Sequence, residues 1–222
     1  MFMDMPSEAA VMILPNVLFP QALLPLHIYE PRYRRMVADM LLGERMFIVA
    51  MQKPGHMREV PSSVAGLGLI RVCVQNPDNT YHLILQGVSR VELVETVRYK
   101  PYRLQRVREL QAAPNNNPEV DTLLARIRSL VGERLKLGSY PFQGPKKSGK
   151  SKDNPPFPSV KEIIGYMEQL TNPEELADLI SCALLPGALE RQTILETIEL
   201  EPRLNRLIDF LSAEIRNHRK KR

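Results

Sequence analysis

The string GPKKSGKS, Gly144 to Ser151, fits the pattern G-x-x-x-x-G-K-[ST] letter for letter. That spacing can cradle phosphate, because the backbone donors of the turn and the N-terminus of a following helix surround the anion while Lys150 and Ser151 reach phosphate and magnesium. The chemistry needs a buried strand before the turn and a helix after it. Here SYPFQ precedes the turn and is not an apolar strand, and KDNPPFP follows it with three prolines that forbid a helix. No apolar strand ending in Asp lies downstream as a magnesium partner. A basic loop rich in Gly, Ser, Lys and Pro accounts for the string without catalysis, and nucleotide hydrolysis through 144–151 is the last of the readings weighed.

Other chemistries find less support. His27, His56, His82 and His218 are scattered along the chain, and neither Cys73 nor Cys182 stands at ligand spacing to them, so no metal site and no cofactor are expected. Gly66-Leu67-Gly68 lacks a third glycine and precedes a strand rather than a helix. No G-x-S-x-G elbow is present. The sequence therefore offers no catalytic residues and the chain is expected not to be an enzyme. Recognition is the remaining chemistry, and two groups of residues suit it. Tyr29, Arg32, Tyr33 and Arg35 surround the start of a helix, although tyrosines at i and i+4 also suit simple packing. Arg103, Gln105 and Val107 lie on a strand of mixed polarity on both faces, which reads as an exposed edge able to take up an extended peptide.

The elements that position these residues follow from pattern. Proline has no backbone donor, so Pro15, Pro20 and Pro25 mark strand edges, bulges or bends. Val11–Leu14 and Leu23–Ile28 read as short strands joined by a tight turn around Pro20. Pro31 suits the first turn of a helix whose apolar face is Tyr33, Met36, Val37, Met40 and Leu41. Residues 45–51, 66–75, 81–87, 90–97 and 102–110 are rich in β-branched and aliphatic side chains, and NPDN at 76–79 predicts a hairpin. At 111–118 the strand pattern stops. Asn117-Pro118-Glu119 starts a helix ended by Gly138, Ser159 with Glu162 starts a second, Asn172-Pro173-Glu174 a third, and 188–198 and 202–217 supply two more.

The net charge of +5 is unevenly spread: the basic excess sits largely in 138–159 and in the tail RNHRKKR, while 160–215 is acidic. The tail holds no aromatic for base stacking and reads as a frayed, solvated terminus, although nucleic-acid binding stays open as an alternative. No apolar run approaches the roughly 20 residues that span a bilayer. Two cysteines far apart and no secretory signal point to a reduced, cytoplasmic setting.

The opening LPNVLFPQALLPLHIYEPRY is similar to the LPL-x-VLFP-x-x-x-LPL-x-IFE-x-RY segment of the Lon protease N-terminal domain family. QGVSR at 86–90 resembles its EG-x-x-R turn, with Gln86 where Glu is usual. NPEELADLISCALL, then Gln192, Leu195 and Glu196, then RLNRLIDFLSAEI resemble its DP-x-x-LAD, Q-x-x-LE and R-L-x-x-L-x-x-x-L-x-x-E runs. The resemblance implies an α+β fold: a PUA-like six-stranded β pseudo-barrel over 1–113, then a helical bundle over 114–222 with a disordered insertion near 139–158. It also implies a stand-alone, non-catalytic module that binds protein or peptide segments, without the ATPase and peptidase of the complete protease. PUA-like barrels include RNA binders, which supports the nucleic-acid alternative.

Overall fold

The computed structural model describes residues 5–56, 58–114, 117–138, 165–167 and 169–220. Six strands, β1 (Glu8–Leu14), β2 (Leu23–Ile28), β3 (Met46–Met51), β4 (Val64–Gln75), β5 (Tyr81–Arg98) and β6 (Arg103–Leu110), form one mixed sheet in the order β2-β5-β4-β3-β1-β6. A further β5–β6 pairing closes five of these strands into a ring and leaves β2 outside it, beside β5. The complete helices among the described residues are α1 (Pro31–Leu41), α2 (Glu119–Lys136), α3 (Pro173–Leu184), α4 (Ala188–Glu196) and α5 (Leu200–Lys220). The architecture is α+β, with all six strands preceding the long helices.

Alternation along the strands gives the ring two apolar faces. Ala9, Val11, Ile13, Met46, Ile48, Ala50, Ala65, Leu67 and Val91, with Leu93 and Val107 at their margin, draw on all five ring strands and fill its inside. Ala10, Met12, Phe47, Val49, Ile70, Leu83 and Leu85 point the other way and meet Tyr33, Met36 and Val37 of α1. The 3.6-residue pattern of α1 thus buries the face its sequence predicts, with Met40 and Leu41 partly covered.

Three expectations are corrected. β1 and β2 are not hairpin partners: β1 pairs in parallel with β3 and antiparallel with β6, whereas β2 pairs with β5. The link between them is no simple turn, because Val17, Leu18 and Phe19 are buried against glycines that allow the close approach. A Cβ at Gly66 would lie 2.1 Å from the Leu18 carbonyl oxygen, and one at Gly87 1.9 Å from that of Phe19. Second, 81–87 and 90–97 are one continuous strand, β5, whose first half pairs with β2 and whose second half pairs with β6. Third, β6 is not an edge. Gln105 faces Ala9 on one side and Thr96 on the other, and the Val107 amide donates to the Ser7 carbonyl (2.9 Å).

By contacts the chain forms two units: Met1–Ala112 with Arg191–Ile198, and Ala113–Glu190 with Glu199–Arg222. In the first, the Gln192 amide donates to the Val64 carbonyl (2.9 Å) and Arg90 Nε to the Leu195 carbonyl (3.3 Å). The Arg90, Gln192 and Leu195 of the sequence signature therefore fasten a helical segment to the strands. In the second unit α2 packs along α5, burying Leu124, Ile127, Val131 and Leu135 on one and Leu204, Leu207, Leu211 and Ile215 on the other. Asn117 and Asn172 accept from the amides of Glu119 and Glu174 (both 3.0 Å), the capping that their spacing predicts.

The basic tail is not frayed through Lys220. α5 runs to that residue because Arg219 pairs with Glu133 (3.1 Å), and His218 and Glu214 meet the buried Arg134 at 3.0 and 3.3 Å. The GPKKSGKS string, the insertion at 139–158 and most of the helix expected from Ser159 lie outside the described residues.

Candidate partner-binding surface

The first predicted group centres on Glu59, which the sequence reading did not single out. Arg32 donates from Nη1 and Nη2 to the two Glu59 carboxylate oxygens (2.5 and 2.6 Å) and from Nε to Glu30 (3.0 Å). Arg103 Nη2 reaches the Glu59 carbonyl (3.1 Å), so Arg32 of α1 and Arg103 of β6 meet on one residue of the β3–β4 connection. The bidentate bond from Glu59 raises the Arg32 pKa, and the same bond holds the Glu59 carboxyl below its ordinary value. Arg32 also lies over the Tyr33 ring (4.4 Å) and Arg103 over Tyr99 (4.8 Å).

Tyr33 is buried and its hydroxyl accepts from the Ile13 amide (3.2 Å); burial pushes its pKa up. Arg35 pairs with Asp39 (3.1 Å), which also accepts from the Tyr102 hydroxyl (3.0 Å). On β6, Gln105 is buried and Val107 packs at the edge of the ring interior. Neither is available to a partner strand. The mixed polarity that resembled an exposed edge comes from cross-strand pairs: Arg106 with Glu95 (2.9 Å) and Glu8 (3.6 Å), and Arg108 with Glu92.

The open surface lies around β2. Gly87 N–H donates to the Ala22 carbonyl (2.9 Å). By antiparallel alternation Leu24, Leu26 and Ile28 then face β5 with their backbone groups, and Leu23, Pro25 and His27 turn theirs to the free side. Among the described residues no strand pairs with that side. Pro25 brings no donor, so the edge offers the amides of Leu23 and His27 and three carbonyls.

The same three residues start cross-strand rows on the solvent face. Pro25, Ile84 and Val72 form one row, and His27, His82 and Val74 the next. Leu23 faces Gln86, which accepts from Arg71 Nε (2.5 Å) and donates to Gln21 (3.0 Å). Arg71 is the extra residue of a bulge between Ile70 and Val72. Leu23 is 63% exposed, Val72 50%, Val74 56% and Tyr29 64%. These apolar groups lie beside one another across three strands. Of the residues singled out from sequence only Tyr29 reaches this surface, its ring 5.9 Å from that of His27.

Exposed apolar side chains at every second position of Leu23–His27 and Val72–Val74 carry the same signature as core-facing ones. Only the pairing of β2 with one neighbour separates them, and that pairing is not visible in a short sequence window.

Five strands closed into a ring by the long β5, a sixth strand, β2, paired on one side only among the described residues, and the helices that follow make up an α+β fold with an exposed apolar row beside β2. The chain belongs to the family of the ATP-dependent protease La (LON) substrate-binding domain, whose sequence profile matches residues 8–213. It is similar to the Lon protease of Dictyoglomus thermophilum, at 26% identity over 216 residues, and to that of Phenylobacterium zucineum, also at 26% over 216 residues. The alignments cover 96% and 95% of this chain but 25% of each relative, so the chain spans about a quarter of the length of the curated relatives it matches. Among solved structures, the N-terminal domain of Mycobacterium avium complex Lon protease has the same fold, with a TM-score of 0.69 at 18% identity over 92% of this chain and 98% of that one. The Lon N-terminal domain protein from Xanthomonas campestris aligns with a TM-score of 0.57 at 17% identity, over 92% and 99%.

Proposed function

We infer that the chain is a non-enzymatic module that binds segments of other polypeptides on the open face of β2, β5 and β4. One observation carries the reading: Leu23, Val72 and Val74, each at least half exposed, adjoin through Pro25, Ile84 and the His27–His82 pair instead of standing singly. An extended, unfolded segment suits such a face, since its alternate side chains lie on the rows while its backbone can add to the free amides and carbonyls of β2. The family's description as a substrate-binding domain agrees with this role. Backbone addition of such a segment is assigned to β2, since β6 is paired with β1 on one side and β5 on the other.

The test is fluorescence anisotropy with a labelled, permanently unfolded polypeptide. The double variant V72S/V74S should bind at least about tenfold more weakly, because two anchors of roughly 1 kcal/mol each are lost from the contact. Unchanged affinity would overturn the reading. A labelled single-stranded oligonucleotide is the matching control: tight binding that collapses steeply as salt rises would favour the nucleic-acid alternative.

A further inference from the structure

His27 and His82 are far apart in the chain, but the register of β2 against β5 sets them directly opposite each other. They form one of the pairs whose backbone groups do not bond across the ladder, the class in which facing side chains come closest. Their rings stack with centroids 4.5 Å apart and planes 11° from parallel, and both side chains are exposed. We propose that this pair is a two-point chelate for a borderline divalent transition ion of the Cu2+, Ni2+ and Zn2+ class, with the remaining coordination positions open to solvent.

Imidazole nitrogen is a preferred donor for these ions. An ion bound about 2.0–2.1 Å from each nitrogen needs the two nitrogens roughly 3–3.4 Å apart. With the centroids 4.5 Å apart, the approach needed is a rotation of each ring about its Cβ–Cγ bond that turns one nitrogen toward a shared ion. Among the described residues no group of three or more His, Cys, Asp or Glu is placed to hold a metal ion, so the pair supplies two protein ligands and no closed structural cage.

The charged groups nearby are of both signs: the Asp78 carboxylate favours a cation and the Arg34 guanidinium opposes it. Asp78, in the turn before β5, is held below its ordinary pKa by hydrogen bonds from Thr80 and, to a smaller extent, by His27. Arg34 of α1 donates to the Asp78 carbonyl (3.4 Å). The ring of Tyr29 flanks His27. The ion would clip β2 to β5 at the end of the open face, and the proposal stands whether or not that face binds polypeptides.

Calorimetric titration of the full chain with CuCl2, NiCl2 and ZnCl2 separately, in a buffer that does not coordinate them, tests the site. One ion per chain is expected, with Cu2+ bound most tightly, and H27A and H82A should each weaken binding by at least about tenfold. H56A and H218A should leave it unchanged. Binding should weaken on acidification, since protons compete with the ion for its nitrogen donors. Electron paramagnetic resonance of the Cu2+ form should show two coordinated nitrogens in the parent and one in either single variant. If H27A and H82A are folded by circular dichroism and bind as tightly as the parent, or if H56A or H218A abolishes binding, the pair is not the site.

Discussion

Two surfaces of the strand-built unit look alike in composition and differ in what their bonds are doing. Around Glu59, the arginines and tyrosines of α1 and β6 are engaged with one another: Arg32 with Glu30 and Glu59, Arg103 with the Glu59 carbonyl, Arg35 with Asp39, and Asp39 with Tyr102. Around β2, the apolar and imidazole side chains face one another in cross-strand rows, and among the described residues no strand takes up the backbone donors of Leu23 and His27. The first surface has the residue types usually associated with recognition, and the second has the free bonding directions. On the proposed function, the recognition surface is marked by what is left unbonded more than by residue type.

The largest expected effect comes from the support beneath the open face. Gly87→Ala would drive a methyl into the Phe19 carbonyl, and it should destabilise by more than about 3 kcal/mol. Urea unfolding followed by circular dichroism checks this. A midpoint within error of the parent would mean that the Val17–Phe19 segment moves aside freely.

Next comes Tyr33→Phe, which leaves the buried Ile13 amide without its acceptor and should cost about 1–3 kcal/mol. No loss of stability would show that the hydroxyl is not needed, and would weaken the account of this cluster as structural.

Glu59→Gln should cost less, under about 1 kcal/mol, because the Arg32–Glu59 pair is over one-third exposed on both sides. The sign of its pH dependence is set by the lowered Glu59 pKa. The carboxylate contributes stability above its unfolded pKa, and that contribution is lost as pH falls through the folded value. The gap between parent and E59Q should therefore close on acidification, and a gap that widens would contradict the assignment.

The smallest effect on stability sharpens the comparison most. Leu23→Ser and Arg35→Ala should each stay within about 0.5 kcal/mol of the parent, and only L23S should weaken binding of an unfolded polypeptide. A loss for R35A with L23S unchanged would place the binding surface at α1.

Much of the fold was legible because its signals are local. Asn117, Asn172 and the apolar stripe of α1 carry capping and periodicity within a few residues, and Leu23–Ile28 announced itself as a strand at both ends. What failed depended on pairing. The Gly87-Val88-Ser89 step resembles a turn, yet the chain runs straight through it because Gly87 lets the Phe19 carbonyl approach. Arg106 and Arg108 imitate a solvated edge because their acidic partners sit on other strands. Of the candidate site only Tyr29 was in view. His27 and His82 become neighbours solely through register, and the recognisable Gly87, Arg90, Gln192 and Leu195 prove to be fastenings of the fold.

The segment Arg191–Ile198 joins the strands although some eighty residues of chain separate it from Ala112. During synthesis the first unit is thus incomplete when its last strand leaves the ribosome, and Val64 waits for Gln192 until most of the chain is made. Closing so long an excursion carries an entropy that grows only with the logarithm of its length, about 0.6 kcal/mol for each doubling. The closure itself is therefore little affected by insertions in the intervening stretch, whereas the buried faces of α2 and α3 within it must be kept.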